Sequence, residues 1–289
     1  MNIITSRDNK WLKLFRAALR GSGPEKGESI GVEGPKLVED ALRSGLEAEA
    51  LLVSESAESH AESILRAAGE TEAGISRSRI LRTADKLFQS VSGTESPQGV
   101  AALFRQRVWG IEDVLRGAGE MREAPPLAIV LAEIQDPGNV GTILRSAEAF
   151  GATGAVSTRG TADPWSPKAL RASAGAALRL PLLRGIAIPV LLAQLRMLRV
   201  KIYATSAASC PDDTVPADFA AEVNLRGAAA IFIGNEGAGL SPEVTRAADA
   251  VLTIAIRPNV ESLNAGVAAS IVLYEAAKQR QSEARVAAG

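Results

Sequence analysis

The stretch LAIVLAEIQDPGNVGTILR (127–145) joins an apolar run to a polar, glycine-containing turn and then to a helical pattern. Its first eight residues read as a strand, and Pro137-Gly138 is a strong turn signal. The spacing predicts a helix over about 140–150, with Val140, Ile143, Leu144 and Ala147 as its buried stripe and Asn139 placed to cap it. Arg145 falls off that stripe. Taken alone, Asn139 reads as a cap and Arg145 as a surface charge.

Two later segments repeat the pattern: IFIGNEGAGLSPE (231–243) and PNVESLNAGVAASI (258–271). In the first, Gly234, Gly237 and Gly239 follow an apolar strand, and Ser241-Pro242 reads as a helix N-cap and first helical residue. The spacing is G-x-x-G-x-G, so it is not the dinucleotide fingerprint G-x-G-x-x-G, and no G-x-x-x-x-G-K-[ST] phosphate loop occurs. In the second, Ser262 or Asn264 can cap a helix whose Ala265, Gly266, Ala268, Ala269 and Ser270 allow close backbone packing. The three turns place Asn139, Arg145, Asn235, Glu236, Ser262 and Asn264 at element ends. Ligands of parallel α/β sheets sit there, beyond the carboxyl ends of the strands.

The surrounding chain supports such a sheet. Strands GAVST, KIYATSA, AAAIFIG and AVLTIAI alternate with the helix-like KALRASAGAAL, a helix over 189–199, a helix from Pro242 and a final helix to about Arg280. Residues 1–109 read as a separate α/β unit: a helix over Asn9–Leu19 with Trp11, Leu14, Phe15 and Ala18 on one side, strand SIGV, helix PKLVEDALRSG, strand EALLVSE, helix AESILRAAG and strand QGVAALFRQ. The charged stretch 110–125 reads as a linker with room for a short helix, 126–283 as the second domain and 284–289 as a tail.

Composition removes most other chemistry. One histidine (His60, in the polar run SESAESHAES) and one cysteine (Cys210) argue against Ser-His-Asp and Cys-His hydrolases, zinc sites and internal disulfides. No secretion signal or membrane-length apolar run is apparent, so a soluble, cytoplasmic protein is expected. A formal net charge of −1 does not advertise a nucleic-acid binder. The first helix is nevertheless locally basic, with Arg7, Lys10, Lys13, Arg16 and Arg20 against Asp8 alone.

In this order, the three segments resemble the signature motifs of SpoU-type RNA 2′-O-ribose methyltransferases of the SPOUT superfamily, over roughly 127–280. The segment DPWSPKALRASAGAALRLPL (163–182) also looks familial. SRDNKWLK, VEGPKLVEDAL and SPQGVAAL (96–103) resemble the ribosomal-protein-like RNA substrate-binding domain that often precedes it. The resemblance implies a deep trefoil knot, S-adenosylmethionine (SAM) bound in it, and a homodimer formed through the C-terminal domain. It implies Asn139, Arg145, Glu236, Ser262 and Asn264 as the reactive-site set, and Gly234, Asn235, Gly237, Ile254 and Leu263 as cofactor contacts. Arg7, Lys10, Lys13, Arg16 and Arg171 are the expected RNA contacts, with no metal and no membrane partner. Where the family often has Ile-Pro-Met, this chain has Ile254-Ala255-Ile256. The implied reaction is methylation of a ribose 2′-hydroxyl in structured RNA, ribosomal RNA ahead of transfer RNA, with Arg145 reaching the partner's site. Arginine is a poor base, so a phosphate clamp suits Arg145 better. The alternatives are a non-catalytic RNA-binding or ribosome-assembly protein and a base-nitrogen methyltransferase.

Overall fold

The structure is a computed structural model that describes residues 2–21, 28–69, 79–119, 124–206, 217–257 and 259–287. Cys210 and Pro258 lie outside the described residues. The chain divides into two compact units, Met1–Val108 with Asp163–Arg179, and Trp109–Ala162 with Leu180–Gly289.

The first unit runs β1 (Asn2–Ile4), α1 (Lys10–Arg20), β2 (Ile30–Glu33), α2 (Pro35–Arg43), β3 (Ala48–Ser54), α3 (Glu58–Gly69), β4 (Ile80–Thr83), α4 (Asp85–Val91) and β5 (Val100–Phe104). The sheet order is β1-β4-β3-β5-β2, parallel on the β1-β4-β3 side and antiparallel at β3-β5-β2. Asn9 caps α1 by accepting from Trp11 N. The buried stripe of α1 is Leu12, Phe15 and Leu19, not the Trp11-Leu14-Phe15-Ala18 face read from spacing; Leu14 is exposed. Leu12 and Phe15 join Leu52, Leu81, Phe88 and Leu103 in one core, and that tertiary partner decides the helix's rotation. At the end of β2, the Glu33 carboxylate accepts from Ser92 Oγ, Gly93 N and Thr94 Oγ1, pinning the loop after α4. Strands β1 and β4 and helix α4 had no clear signature in the sequence.

The second unit opens with α5 (Ile111–Arg116), inside the segment read as a linker. Ile111, Val114 and Leu115 are buried in the unit's core, so this stretch is structural. Then come β6 (Leu127–Leu131), α6 (Pro137–Ala149) and β7 (Gly154–Thr158). Helices α7 (Pro167–Ala172) and α8 (Ala176–Arg179) follow, and both group with the first unit. The single helix read over 168–178 is broken because Ala174 and Gly175 adopt positive φ, 47° and 83°. Glycine suits position 175 because its φ of 83° is one that L side chains rarely adopt.

The chain continues with β8 (Leu182–Ile186), α9 (Ile188–Met197), β9 (Lys201–Thr205), β10 (Ala217–Phe219), β11 (Ala229–Ile233), α10 (Pro242–Ala247), β12 (Ala250–Thr253) and α11 (Ala265–Ala287). These strands build a seven-stranded, all-parallel sheet in the order β10-β12-β9-β11-β6-β7-β8, as the alternation predicted. After β6 the chain builds outward through β7 and β8, then returns on the far side of β6. The order therefore reverses between β6 and β11, the place where such sheets open a crevice. Strands β6, β7 and β11 are buried along their whole length; β6 and β11 read as unbroken apolar runs for that reason, while β7 ends in the buried Ser157 and Thr158. Among the described residues, no helix is long and apolar enough to cross a membrane.

Candidate active site

The three glycine-containing turns follow β6, β11 and β12, and the second unit brings them together beside β9 and β11. The first turn begins with Asp136, whose carboxylate accepts from Gly138 N and caps α6, with Pro137 as the first helical residue. The cap is therefore Asp136, not Asn139 as expected. The signal was present, since a proline at the first helical position puts the cap one residue earlier. Freed from capping, Asn139 in the first turn of α6 points its amide elsewhere.

That amide joins all three turns. Asn139 Nδ2 donates to Glu236 Oε1 at 2.9 Å, and Asn264 Nδ2 donates to Asn139 Oδ1 at 2.9 Å. Glu236 also accepts the backbone N–H groups of Gln135 (3.2 Å) and Asp136 (3.3 Å). Partial burial pushes the Glu236 carboxyl up. The hydrogen bonds from Asn139, Gln135 and Asp136 outweigh it and hold the group below its ordinary value, so it is a carboxylate at neutral pH. At the other end, Asn264 Oδ1 accepts from Gly266 N (2.9 Å) and Val267 N (3.3 Å), capping α11. Asn264 therefore both caps α11 and bonds Asn139 across the turns.

The second turn is held by its own residues. Asn235 Oδ1 accepts from Gly237 N and Ala238 N, both at 2.9 Å, and Asn235 Nδ2 donates to Glu133 O at 2.9 Å. Asn235 and Gly239 exchange backbone hydrogen bonds at 3.0 Å. Gly234 is obligatory in this fold-back, because a Cβ would lie 2.5 Å from Gly239 C and 2.6 Å from Leu240 N. Glu133 sits at φ 59°, a strained conformation for this residue type beside the site.

These turns wall a cavity of about 940 Å³. Gly234, Asn235, Glu236, Gly237, Ile254, Ser262, Leu263 and Asn264 all line it. Ile256 lines it too, so two residues of the departing Ile-Ala-Ile segment face the space. Sequence reading missed Thr205, Ser206 and Arg246, which reach the wall from β9 and α10. No local motif marks them.

Asn139 and Arg145 are not on that wall. Asn139 reaches it through Glu236 and Asn264. Arg145 is exposed on α6 and makes no hydrogen bond or ion pair among the described residues. Helix α6 packs against α11 along successive turns: Thr142 against Gly266, Ser146 Oγ on Ser270 Oγ at 2.7 Å, and Phe150 edge-to-face on Tyr274 at 5.7 Å.

The expected RNA contacts fall in the first unit, Arg171 included, since α7 groups there. Arg7, Lys10, Lys13 and Arg171 are exposed. Lys13 pairs with Asp8 at 3.6 Å, and Lys10 lies 6.0 Å above the Trp11 ring. Arg16 is half-buried and donates to Ser90 O, while Arg20 donates to Ser92 O and Gln89 O, so both tie α1 to α4 and the residue after it. His60 is exposed, as its polar surroundings indicate.

Comparison with known proteins agrees with this geometry. Residues 25–102 match the MRM3-like substrate binding domain, and residues 126–274 match the SpoU rRNA Methylase family. An uncharacterized tRNA/rRNA methyltransferase of Synechocystis is 35% identical over 199 residues, 68% of this chain and 66% of that protein. The 23S rRNA (guanosine(2553)-2′-O)-methyltransferase RlmP of Bacillus subtilis is 29% identical over 276 residues, 95% of this chain and 98% of that one. An AdoMet-bound rRNA methyltransferase from Sinorhizobium meliloti superposes with a TM-score of 0.75 at 28% identity, covering 96% of this chain and 97% of that chain. With the family model spanning the whole seven-stranded sheet and all three turns, the chain belongs to the SpoU rRNA methylase family.

Proposed function

We propose that this protein transfers a methyl group from SAM to a ribose 2′-hydroxyl of ribosomal RNA. The observation that carries the reading is the relay Glu236–Asn139–Asn264, which locks three distant turns around one cavity. The names of the relatives, ribosomal RNA 2′-O-methyltransferases among them, support the same substrate class. The base-nitrogen and non-catalytic alternatives have no such support.

The cavity fits the cofactor. Its volume is that of a pocket for a nucleoside-sized ligand. Gly239, at φ 69°, and Gly237 leave open space where a Cβ would intrude on a ligand. Ile254, Leu263 and Leu240 supply apolar wall. When bound, SAM would supply a sulfonium methyl to the hydroxyl oxygen, the C–S bond breaking to a neutral thioether and the hydroxyl proton leaving to water.

The chain's residues position and orient. Glu236 fixes Asn139 and the start of α6. Asn264 fixes the start of α11 and hence Ser262 and Leu263 at the wall. Ser262, whose hydroxyl makes no hydrogen bond among the described residues, is free to meet the ribose. Arg145 clamps the phosphate next to the target and orients its 2′-hydroxyl. Because Arg145 stands off its own cavity, it serves the cavity of a second copy. The partner face is the exposed row Val267, Ile271 and Tyr274 on α11, beside α6. The trefoil knot around the cofactor, the exposed basic residues of the first unit as RNA contacts and a cytoplasmic location belong to the same reading.

The test is transfer of labelled methyl from SAM to ribosomal RNA from cells lacking this protein, followed by nuclease mapping. A 2′-O-methylated nucleotide is expected. Label on a base, or no transfer with intact SAM binding, would overturn the reading.

A further inference from the structure

Among the described residues lining the cavity, only two are charged, Glu236 and Arg246. The Glu236 oxygens are committed to Asn139, Gln135 and Asp136, on the side of the first turn. Arg246 is different. It sits in the last turn of α10, is exposed, and its Nε donates to Pro242 O at 3.2 Å. That bond orients the guanidinium and leaves both terminal nitrogens without a partner among the described residues. Helix α10 packs on β9, whose end brings Thr205 and Ser206 to the same cavity. The rest of the described wall is uncharged: apolar side chains, turn backbone and the polar Thr205, Ser206, Asn235, Thr245, Ser262 and Asn264, which can hydrogen-bond but carry no charge to neutralise an anion.

SAM carries such an anion, the carboxylate of its amino-acid tail. A guanidinium presents two parallel N–H donors that match a carboxylate. We propose that Arg246 is the anchor for the cofactor's carboxylate and so distinguishes SAM and its product S-adenosylhomocysteine from nucleosides that lack the tail. This rests on the cavity being the SAM site. It adds a cationic end to a pocket whose other lining groups, apart from Glu236, are uncharged.

Calorimetric titration with two probes tests it. S-adenosylhomocysteine has the carboxylate; 5′-methylthioadenosine has the same nucleoside and thioether without it. For Arg246→Ala, the affinity for S-adenosylhomocysteine falls by about tenfold or more, the scale of a charge-assisted pair, while that for methylthioadenosine is unchanged. Arg246→Lys recovers part of the loss, and the thermal midpoint of the free protein stays that of the wild type. Equal weakening of both probes would show that Arg246 only shapes the cavity. Unchanged S-adenosylhomocysteine binding with weaker, less salt-dependent RNA binding would assign it to a phosphate instead. Either result overturns the proposal. Failure of the wild-type protein to bind either probe would instead sink the functional reading on which it rests.

Discussion

Asn139 and Asn264 occupy one hydrogen-bonded chain, but their removal has different consequences. Asn264→Ala deletes the cap of α11, a loss of about 1 kcal/mol, and breaks the relay as well. Asn139→Ala leaves the Asp136 cap of α6 in place, so stability should hold within about 0.5 kcal/mol if its only loss is the relay. Both variants should lose activity, roughly 100-fold, because the turns are no longer held in register. Denaturant melts beside methyl-transfer rates check this; equal stability losses would mean that Asn139 is a structural residue. Glu236 adds a pH signature. Its carboxyl is held below the ordinary value in the folded state, so its stabilising contribution is complete above the unfolded carboxylate range and lost as pH falls through the folded value. Wild type and Glu236→Gln should therefore differ in thermal midpoint at neutral pH and converge on acidification. A difference that persists at acid pH would assign the effect to shape rather than charge.

At the scale of elements, the turn after β11 depends on backbone that no side chain can enter. Gly234→Ala places a methyl 2.5 Å from Gly239 C and forces the fold-back open. SAM affinity should fall by at least about tenfold as the cavity wall moves, while the melt of the first unit is unaffected. Wild-type affinity in this variant would show that the turn does not form the pocket. The elements around this turn were legible because β6 and β11 are apolar throughout and are followed by proline or glycine punctuation. Other elements were not. Strand β4 is only Ile-Leu-Arg-Thr, with an arginine interrupting it, and β1 is three residues long. Helix α5 is the short helix for which the linker reading left room, and Ile111, Val114 and Leu115 carry its packing. The rotation of α1 was misread because Leu14 and Leu12 are equally apolar in sequence, and only the partner Phe88 and its neighbours choose between them.

At the scale of the whole molecule, the role proposed for Arg145 depends on a second copy of the chain. If it completes the cavity of a second copy, Arg145→Ala alone abolishes transfer while SAM binding stays near normal. Mixing it with Glu236→Ala, also inactive, should restore activity after subunit exchange, because one site of the mixed dimer then has an intact cavity and an intact arginine. Restored activity should approach about one quarter of wild type for random pairing, in which half the molecules have one good site. No restoration, with exchange verified, would place Arg145 in its own subunit's site. An Ile271→Asp variant, charging the exposed face of α11, should be monomeric by sedimentation and inactive.

The sequence by itself determined the parallel sheet, the three turns after β6, β11 and β12, and the residues in them that line the cavity. Those features are local: apolar runs, proline and glycine at fixed offsets, and small residues where a helix must pack closely. Only the tertiary structure decided that Asp136 rather than Asn139 caps α6. It alone linked Asn139 to Glu236 and Asn264 across about a hundred residues, and it alone brought Arg246 to the cavity. A hydrogen bond between residues so far apart leaves no periodic trace in the chain, and its direction is set when the strands of one sheet take their places.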